Sequence, residues 1–395
     1  MDFSLTEEQV LLRESVAKYV ADHGGVERHR RLSQTEVGFD PEAWSAFAEL
    51  GWLALPFNEE DGGLGGSVTD LMVLCEALGR GLVREPYLYS VVTCGGLLSG
   101  MGSAEQRALY LQPLMEGSSQ WAFAHAEQAS GYDFARIATT AGTDGAGYSL
   151  SGNKIAVLNG HVADRLLVTA AEGDDISLFI VDAALPGVTR ESFTAVDGSR
   201  GAVIHFDAVK LGSECLLGAS GAAQDGIDTA LDQAIVALGA DALGGMQVLI
   251  DSTVEYCKTR EQFGQPIGKF QALQHRMAEM YLKKEETRSL LYNAAIQLQE
   301  GSEEAPVACA ALKVKLAEAG RFISHESVQL HGGIGMTDEL VVGHLFKRLL
   351  LLSKLYGDED YYLDRYQQLT TQVVELELAS LNSLSKPTGA IRLMV

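Results

Sequence analysis

Tyr148-Ser149-Leu150-Ser151-Gly152-Asn153-Lys154-Ile155-Ala156-Val157-Leu158 runs directly into Asn159-Gly160. Alternation at its start and an apolar, β-branched run at its end, leading into Asn-Gly, describe a strand that ends in a turn. Three more short runs follow: Arg165 to Ala170, Ile176 to Val181 and Ala202 to Phe206. Each is β-branched or alternating and is set off by Gly, Asp or Asn, which predicts an antiparallel β-domain in the middle of the chain.

Both flanks read as helix. Upstream, Ser4-Leu5-Thr6-Glu7-Glu8 places a hydroxyl ahead of acidic first-turn residues, and Val10, Leu11, Val16, Tyr19 and Val20 recur at roughly helical spacing. Asp40-Pro41-Glu42 opens another helix, expected to run through Trp44, Phe47, Leu50 and Leu53. Asn58 to Gly66, with four glycines, is a loop. Helical stretches are expected over 68–82, 86–100 and 103–116, and again from about 225 to 380, with a tail from Asn382 to Val395. The chain is therefore expected to be mainly α with a central β-domain. An N-terminal helical domain covers 1–119, a middle β-domain 120–224 and a C-terminal helical domain 225–395.

Composition narrows the function. The 395 residues carry 53 acidic and 30 basic side chains, a formal charge of −23. That field repels nucleic acid and anionic membranes, so neither is expected as a partner. Five scattered cysteines without CxxC or metal-ligand spacing read as buried reduced thiols, and no metal site is expected. The acidic N-terminus is unlike a secretory signal, and no apolar run reaches the roughly 18–20 residues of a membrane span. A soluble, cytoplasmic protein is expected. No GxGxxG follows a strand and no GxxxxGK[ST] occurs, so neither a Rossmann nor a P-loop site is supported.

Three segments could carry chemistry. Thr259-Arg260-Glu261-Gln262-Phe263-Gly264-Gln265-Pro266-Ile267-Gly268, with Phe270-Gln271 after it, breaks a helix with a turn bearing a guanidinium and an aromatic face. Arg suits phosphate and Phe suits stacking, although alone the segment reads as an ordinary helix–helix connection. Gln329-Leu330-His331-Gly332-Gly333-Ile334-Gly335 lets backbone N–H groups approach a ligand, or simply caps a helix. His331 alone reads as a hydrogen-bonded structural histidine. Ala126-Glu127-Gln128-Ala129-Ser130-Gly131-Tyr132-Asp133 is a loop at the head of the β-domain.

Together and in this order these segments resemble the acyl-CoA dehydrogenase family over nearly the whole chain, from Phe3-Ser4-Leu5-Thr6-Glu7 onward. Within it, Phe123-Ala124-His125-Ala126-Glu127 and Leu355-Tyr356-Gly357-Asp358 are similar to bacterial members of the pimeloyl-CoA dehydrogenase small-subunit type. A dicarboxylyl-CoA is the substrate that likeness implies; the acyl chain itself is not readable. The resemblance implies an N-terminal helical domain, a middle β-barrel and a C-terminal four-helix bundle in a dimer or tetramer. It also implies FAD, with Arg260, Phe263 and Gln271 at its pyrophosphate and adenine end. Gln329, Gly332 and Gly333 belong to the same cross-subunit site. The flavin ring is expected against loop 124–133, including His125, Ala126 and Tyr132, and strand 156–159, including Ala156 and Leu158.

The implied chemistry is α,β-dehydrogenation of an acyl-CoA thioester: a carboxylate takes the Cα proton, flavin accepts hydride, and electrons pass to an electron-transfer flavoprotein. The sequence departs from the family at the carboxylate. The usual position falls on Gly357, and the alternative position, on the first long C-terminal helix, falls on Ala234. Asp358 is the nearest substitute and Glu359 the next, although acidic residues also favour a helix start. Ala156 and Leu158 stand where Trp and Thr are typical, and Tyr132 replaces a common Ser. Three readings follow: an active dehydrogenase, homo-oligomeric or heterotetrameric with a related large subunit; a non-catalytic subunit completing a partner's FAD site; or an enzyme like acyl-CoA or nitroalkane oxidases.

Overall fold

Capping sets the helices of the first third. In the computed structural model, which describes residues 5–384 except 134, 135, 146 and 174, helix α1 spans Glu7–His23, α2 Val26–Ser33 and α3 Pro41–Glu49. For residue 144 and for 372–384 only the backbone is described. Phe3 and Ser4 of the opening signal, and the tail from 385, lie outside the described residues. Then come α4 (Val68–Arg80), a π-helix at Tyr87–Gly95 that continues as α5 (Gly96–Met101), and α6 (Ala104–Met115). Thr6 with Gln9, Ser67 with Asp70 and Ser103 with Gln106 form capping boxes on α1, α4 and α6. Each satisfies two N-terminal donors and contributes about 1 kcal/mol.

Eight strands follow: β1 (Trp121–Ala124), β2 (Thr140–Asp144), β3 (Gly147–Leu158), β4 (Arg165–Glu172), β5 (Asp175–Asp182), β6 (Val188–Thr194), β7 (Arg200–Leu211) and β8 (Leu216–Leu217). They form one sheet in the order β6-β7-β3-β2-β4-β5-β8. The sheet is mixed rather than purely antiparallel. β1 lies parallel to β4, Trp121 opposite Arg165, and β2 meets β4 in parallel at Thr140 and Ala171. Between Lys154 and Val157 the β3–β7 register shifts, and Ala156 takes a φ of +52°. A bulge of this kind bends its strand and re-aims side chains. Here it turns Ala156 outward and lets the Ile155 N–H donate to the Ala126 carbonyl at 2.8 Å.

The remainder is helical: α7 (Gln224–Thr259), a two-residue hairpin of β9 (Glu261–Gln262) and β10 (Gln265–Pro266), α8 (Gln271–Gln299), α9 (Ala305–His331), α10 (Val341–Lys354) and α11 (Glu359–Leu384). Asn382 to Leu384, expected in the tail, are thus helical. α7 overturns the expectation that no segment is apolar enough for a membrane span: by length and composition one stretch of it qualifies. Yet 78% of that stretch is buried inside the protein, because α7 is the central helix against which α4, α8, α9 and α10 pack. Gly79 and Gly244 let α4 and α7 touch backbone to backbone, where a Cβ on either would collide with a facing carbonyl.

Charge ties the layers together. Arg348 of α10 bonds Asp241 of α7 and Asp197 of the β6–β7 turn, the latter at 3.2 Å. Arg84, just after α4, donates to the carbonyls of Gly38 at 2.8 Å and Asp197 at 3.3 Å. Asp197 is 1% exposed at its side chain, so neither carboxylate nor guanidinium can fall back on water.

Candidate active site and cofactor surface

Leu355 to Asp358 form the link between α10 and α11, with φ of +60° at Tyr356 and +117° at Gly357. Two buried contacts hold it. Lys313 of α9, fully buried, donates to the carbonyls of Leu352 at 2.6 Å and Leu355 at 2.7 Å, closing the end of α10. Burial lowers its pKa to about 7. Across the link, the Thr93 hydroxyl donates to the Leu88 carbonyl, which leaves Thr93 Oγ1 to accept from the Tyr356 hydroxyl at 2.8 Å. The link is pinned to both the π-helix and α9.

Gly357, at the implied base position, has no room for a side chain. A Cβ there would lie 2.5 Å from Cε2 of Tyr362 and 2.6 Å from Cδ1 of Tyr361. Tyr362 is 3% exposed and cannot swing into solvent without leaving the core. Ala234, at the alternative position, is fully buried.

Asp358 sits on a structural duty. Its Oδ1 accepts from the Tyr361 N–H at 3.2 Å, as the N-cap of α11, and Oδ2 pairs with Lys354 at 3.0 Å. Burial alone would raise its pKa, but the Tyr361 N–H and Lys354 outweigh it and the net shift is downward. A lowered pKa makes a weaker base, the reverse of what proton abstraction from a thioester needs. The β-domain loop does reach this carboxyl. Tyr132 lies with its ring 6.4 Å from that of Tyr361, and Asp358 raises its pKa after burial does. Glu359 turns away, pairing with Arg321 of α9 at 2.7 Å.

On the β-domain side, Lys154 is fully buried and donates to Glu127 at 2.7 Å, to Thr169 at 3.0 Å and to the His125 carbonyl at 3.1 Å. Glu127 in turn accepts from the Ala138 and Thr139 N–H groups, anchoring loop 124–133 to β2. His125 points inward, its Nδ1 3.0 Å from the Thr169 hydroxyl, and burial with the nearby Lys154 lowers its pKa to about 3. It is a neutral core imidazole. Leu158 is buried as well, whereas Ala126 is partly open and Ala156 exposed. The outward side chains here include the methyls of Ala126 and Ala156, the Gln128 carboxamide and the Tyr132 ring.

The second surface has the opposite character. Arg260 follows α7, Phe263 tips the β9–β10 hairpin at 92% exposure with φ +54°, and Gln271 opens α8. The side chains of Arg260 and Gln271 have no hydrogen-bond or ion-pair partner among the described residues. Gln329, Gly332 and Gly333 are exposed at the end of α9, and a Cβ on either glycine would meet no atom within 4 Å. The His331 imidazole is not part of that surface. It stacks on Tyr256 at 4.5 Å and its Nδ1 lies 2.8 Å from the Ser327 carbonyl. An unpaired guanidinium, an exposed aromatic and uncovered glycine backbone fit the phosphates and base of a dinucleotide. The chemistry of these groups suits the ADP half of FAD.

Sequence reasoning missed one carboxyl. Asp232 of α7 is 4% exposed, and burial raises its pKa to about 7, with Arg365 opposing and Asp228 adding to the shift. It does not replace the side chain missing at Ala234. Two residues along a helix rotate a side chain by about 200°, so Asp232 faces α9 and α11, beside Tyr362 and Arg365. A polar residue within an apolar helical repeat was the available signal.

Three family models account for most of the chain: the acyl-CoA dehydrogenase N-terminal domain over 6–118, the middle domain over 122–209 and the C-terminal domain over 225–368. The acyl-CoA dehydrogenase IpdE2 of Mycolicibacterium smegmatis is 30% identical over 364 residues, 92% of this chain and 99% of that one. Among solved structures, the ChsE4-ChsE5 complex from Mycobacterium tuberculosis superposes with a TM-score of 0.85 at 28% identity, covering 98% of this chain and all of its counterpart. The FAD complex of PigA gives a TM-score of 0.87 at 26% identity over 95% of this chain and all of its own.

Proposed function

The chain belongs to the acyl-CoA dehydrogenase family, and on that premise we propose that it works in α,β-dehydrogenation of an acyl-CoA beside a related large subunit that supplies the carboxylate. Membership makes it an oxidoreductase acting on acyl-CoA with FAD as cofactor. The observation that carries the finer reading is the closed base position: Tyr361 and Tyr362 occupy the space a side chain at 357 would need. The similar ChsE4-ChsE5 assembly, a complex of two differently named chains, supports a mixed partnership.

In such an assembly this chain's own residues bind and orient. Arg260 would pair with the pyrophosphate of FAD, Phe263 would stack at its adenine end, and Gln271, Gln329 and the Gly332–Gly333 backbone would complete the cradle. FAD, when bound, supplies the hydride-accepting ring. Lys154 and Glu127 hold loop 124–133 in place. The Cα proton is weakly acidic, so its removal needs a desolvated carboxylate close by; Asp358, capping a helix and paired with Lys354, is held as a poor base. Electrons leave to an electron-transfer flavoprotein.

A second reading keeps Asp358 as the base of a self-sufficient enzyme, favoured by its position where Tyr132 meets α11. Replacing Asp358 with Asn, which also caps helices, separates the two. The proposal expects turnover of the assembled enzyme to stay within about twofold; loss of turnover with flavin retained would establish the second reading instead.

A further inference from the structure

A cleft between the π-helix with α5 and the first turns of α7 shares no lining residue with the surfaces described above. It lies on the far face of α7 from α11: Asp228, two residues and so about 200° around the helix from the lining Gly226 and Ala230, turns to Arg365 at 3.6 Å. Its volume is about 270 Å³. That is near the lower bound of roughly 300 Å³ for small-molecule sites, and well above the ~150 Å³ that holds a benzene ring.

The lining has a definite chemistry. Phe57, Val92 and Met101 supply apolar walls, and no Asp, Glu, Lys, Arg or His faces the space. Gly100 keeps it open, because a Cβ placed there meets nothing within 4 Å. The π-helix contributes too: its wider turn is uncommon and recurs at functional sites. Two neutral polar groups border the cleft without partners among the described residues, the Gln233 carboxamide and the Ser99 hydroxyl. Gln233 Oε1 lies over Gly96, 3.4 Å from where a Cβ would stand. The Thr229 hydroxyl, by contrast, is spent on the Asp225 carbonyl at 2.9 Å.

We propose that this cleft binds an uncharged amphiphile, an alkyl or acyl chain of about eight carbons ending in an amide, ester or hydroxyl group. The chain would lie on Phe57, Val92 and Met101. The head would bond Gln233, which offers both donor and acceptor, and Ser99. A carboxylate head is disfavoured because no cation lines the space to offset its loss of water. The inference does not rest on the dehydrogenase reading, since no residue it uses belongs to the base or FAD surfaces.

The test is isothermal titration of the purified full-length protein with octanamide and, separately, octanoate at pH 7.5. One saturable octanamide site per chain is expected, with octanoate at least tenfold weaker. Gly100→Leu fills the cleft from an unstrained helical position and should abolish binding, while Gln233→Leu should weaken it by about three- to tenfold, the worth of one neutral hydrogen bond. A melting temperature within about 2 °C of the parent shows that both variants fold. Absence of saturable octanamide binding, equal binding by folded Gly100→Leu, or octanoate binding as tight as octanamide would each overturn the proposal.

Discussion

Gly357→Ala puts the smallest side chain at the position where the family's base would stand, and the structure assigns it a cost. At φ +117° a non-glycine residue is strained by about 1–3 kcal/mol. The new methyl must also displace the Tyr362 ring from 2.5 Å, a core side chain at 3% exposure, and overpacking of that kind costs about 1–3 kcal/mol. The sum is about 2–6 kcal/mol. Urea titration followed by far-UV circular dichroism would read it as a lower midpoint at unchanged slope. Gly333→Ala is the control: its Cβ meets nothing within 4 Å and its φ is ordinary, so its change should stay within about 0.5 kcal/mol. In a Tyr362→Ala background, Gly357→Ala should cost about 1 kcal/mol less, since one of the two colliding rings is gone and only that of Tyr361, 2.6 Å away, remains. If Gly357→Ala proves as stable as Gly333→Ala, the base position is open and the reasoning fails.

Other consequences can be checked in parallel. Arg348→Met leaves the buried Asp197 and the partly buried Asp241 without their guanidinium and should cost about 3 kcal/mol; an unchanged melting temperature would show that this clamp does not hold the layers. Asp232 has a folded pKa of about 7, raised from 3.8. Between these values the folded state holds the extra proton, so this group's contribution to stability falls as pH rises and is least favourable above pH 7. Asp232→Asn should therefore gain on the parent by on the order of 2 kcal/mol between pH 5 and pH 7, read from denaturant midpoints at the two values; a pH-independent difference would refute the assignment. Arg260→Ala should lower FAD retention by the assembled enzyme roughly tenfold or more, the worth of one charge-assisted phosphate contact, as measured by flavin absorbance after gel filtration; full retention would remove Arg260 from the site.

Much of this architecture was legible because local chemistry and global fold agree. The run from Tyr148 to Leu158, leading into Asn-Gly, is a strand, the hydroxyl ahead of Glu7 and Glu8 starts a helix, and a helix forms over Ala104–Met115. What stayed hidden was set by distant packing. Val26–Ser33 is so polar that only His29 and Leu32 are buried, leaving little helical signal. Trp121–Ala124 is four apolar residues whose pairing with β4 is decided by a partner some 40 residues away. The π-helix at Tyr87–Gly95 has no distinct periodicity from an α-helix of the same residues. At the site, Arg260, Phe263 and the glycines after Gln329 stood out because backbone and charge recognition need particular residue types. Gly357 announced a missing carboxylate. That Tyr361 and Tyr362 also close the space is a fact of three-dimensional placement that no spacing in the sequence encodes. Asp358 could have been read as an N-cap from the acidic residues behind it, and the structure gives it that duty.

The central claim is that this chain lacks a working base of its own and depends on a related large subunit for it. Anaerobic titration with a panel of acyl-CoAs, followed by visible absorption, tests this on the chain purified alone and with that subunit. The account predicts bleaching of the flavin band with an acyl-CoA only in the mixed assembly. Bleaching of FAD bound to this chain alone would contradict it and restore Asp358, or another group in the chain, as the base.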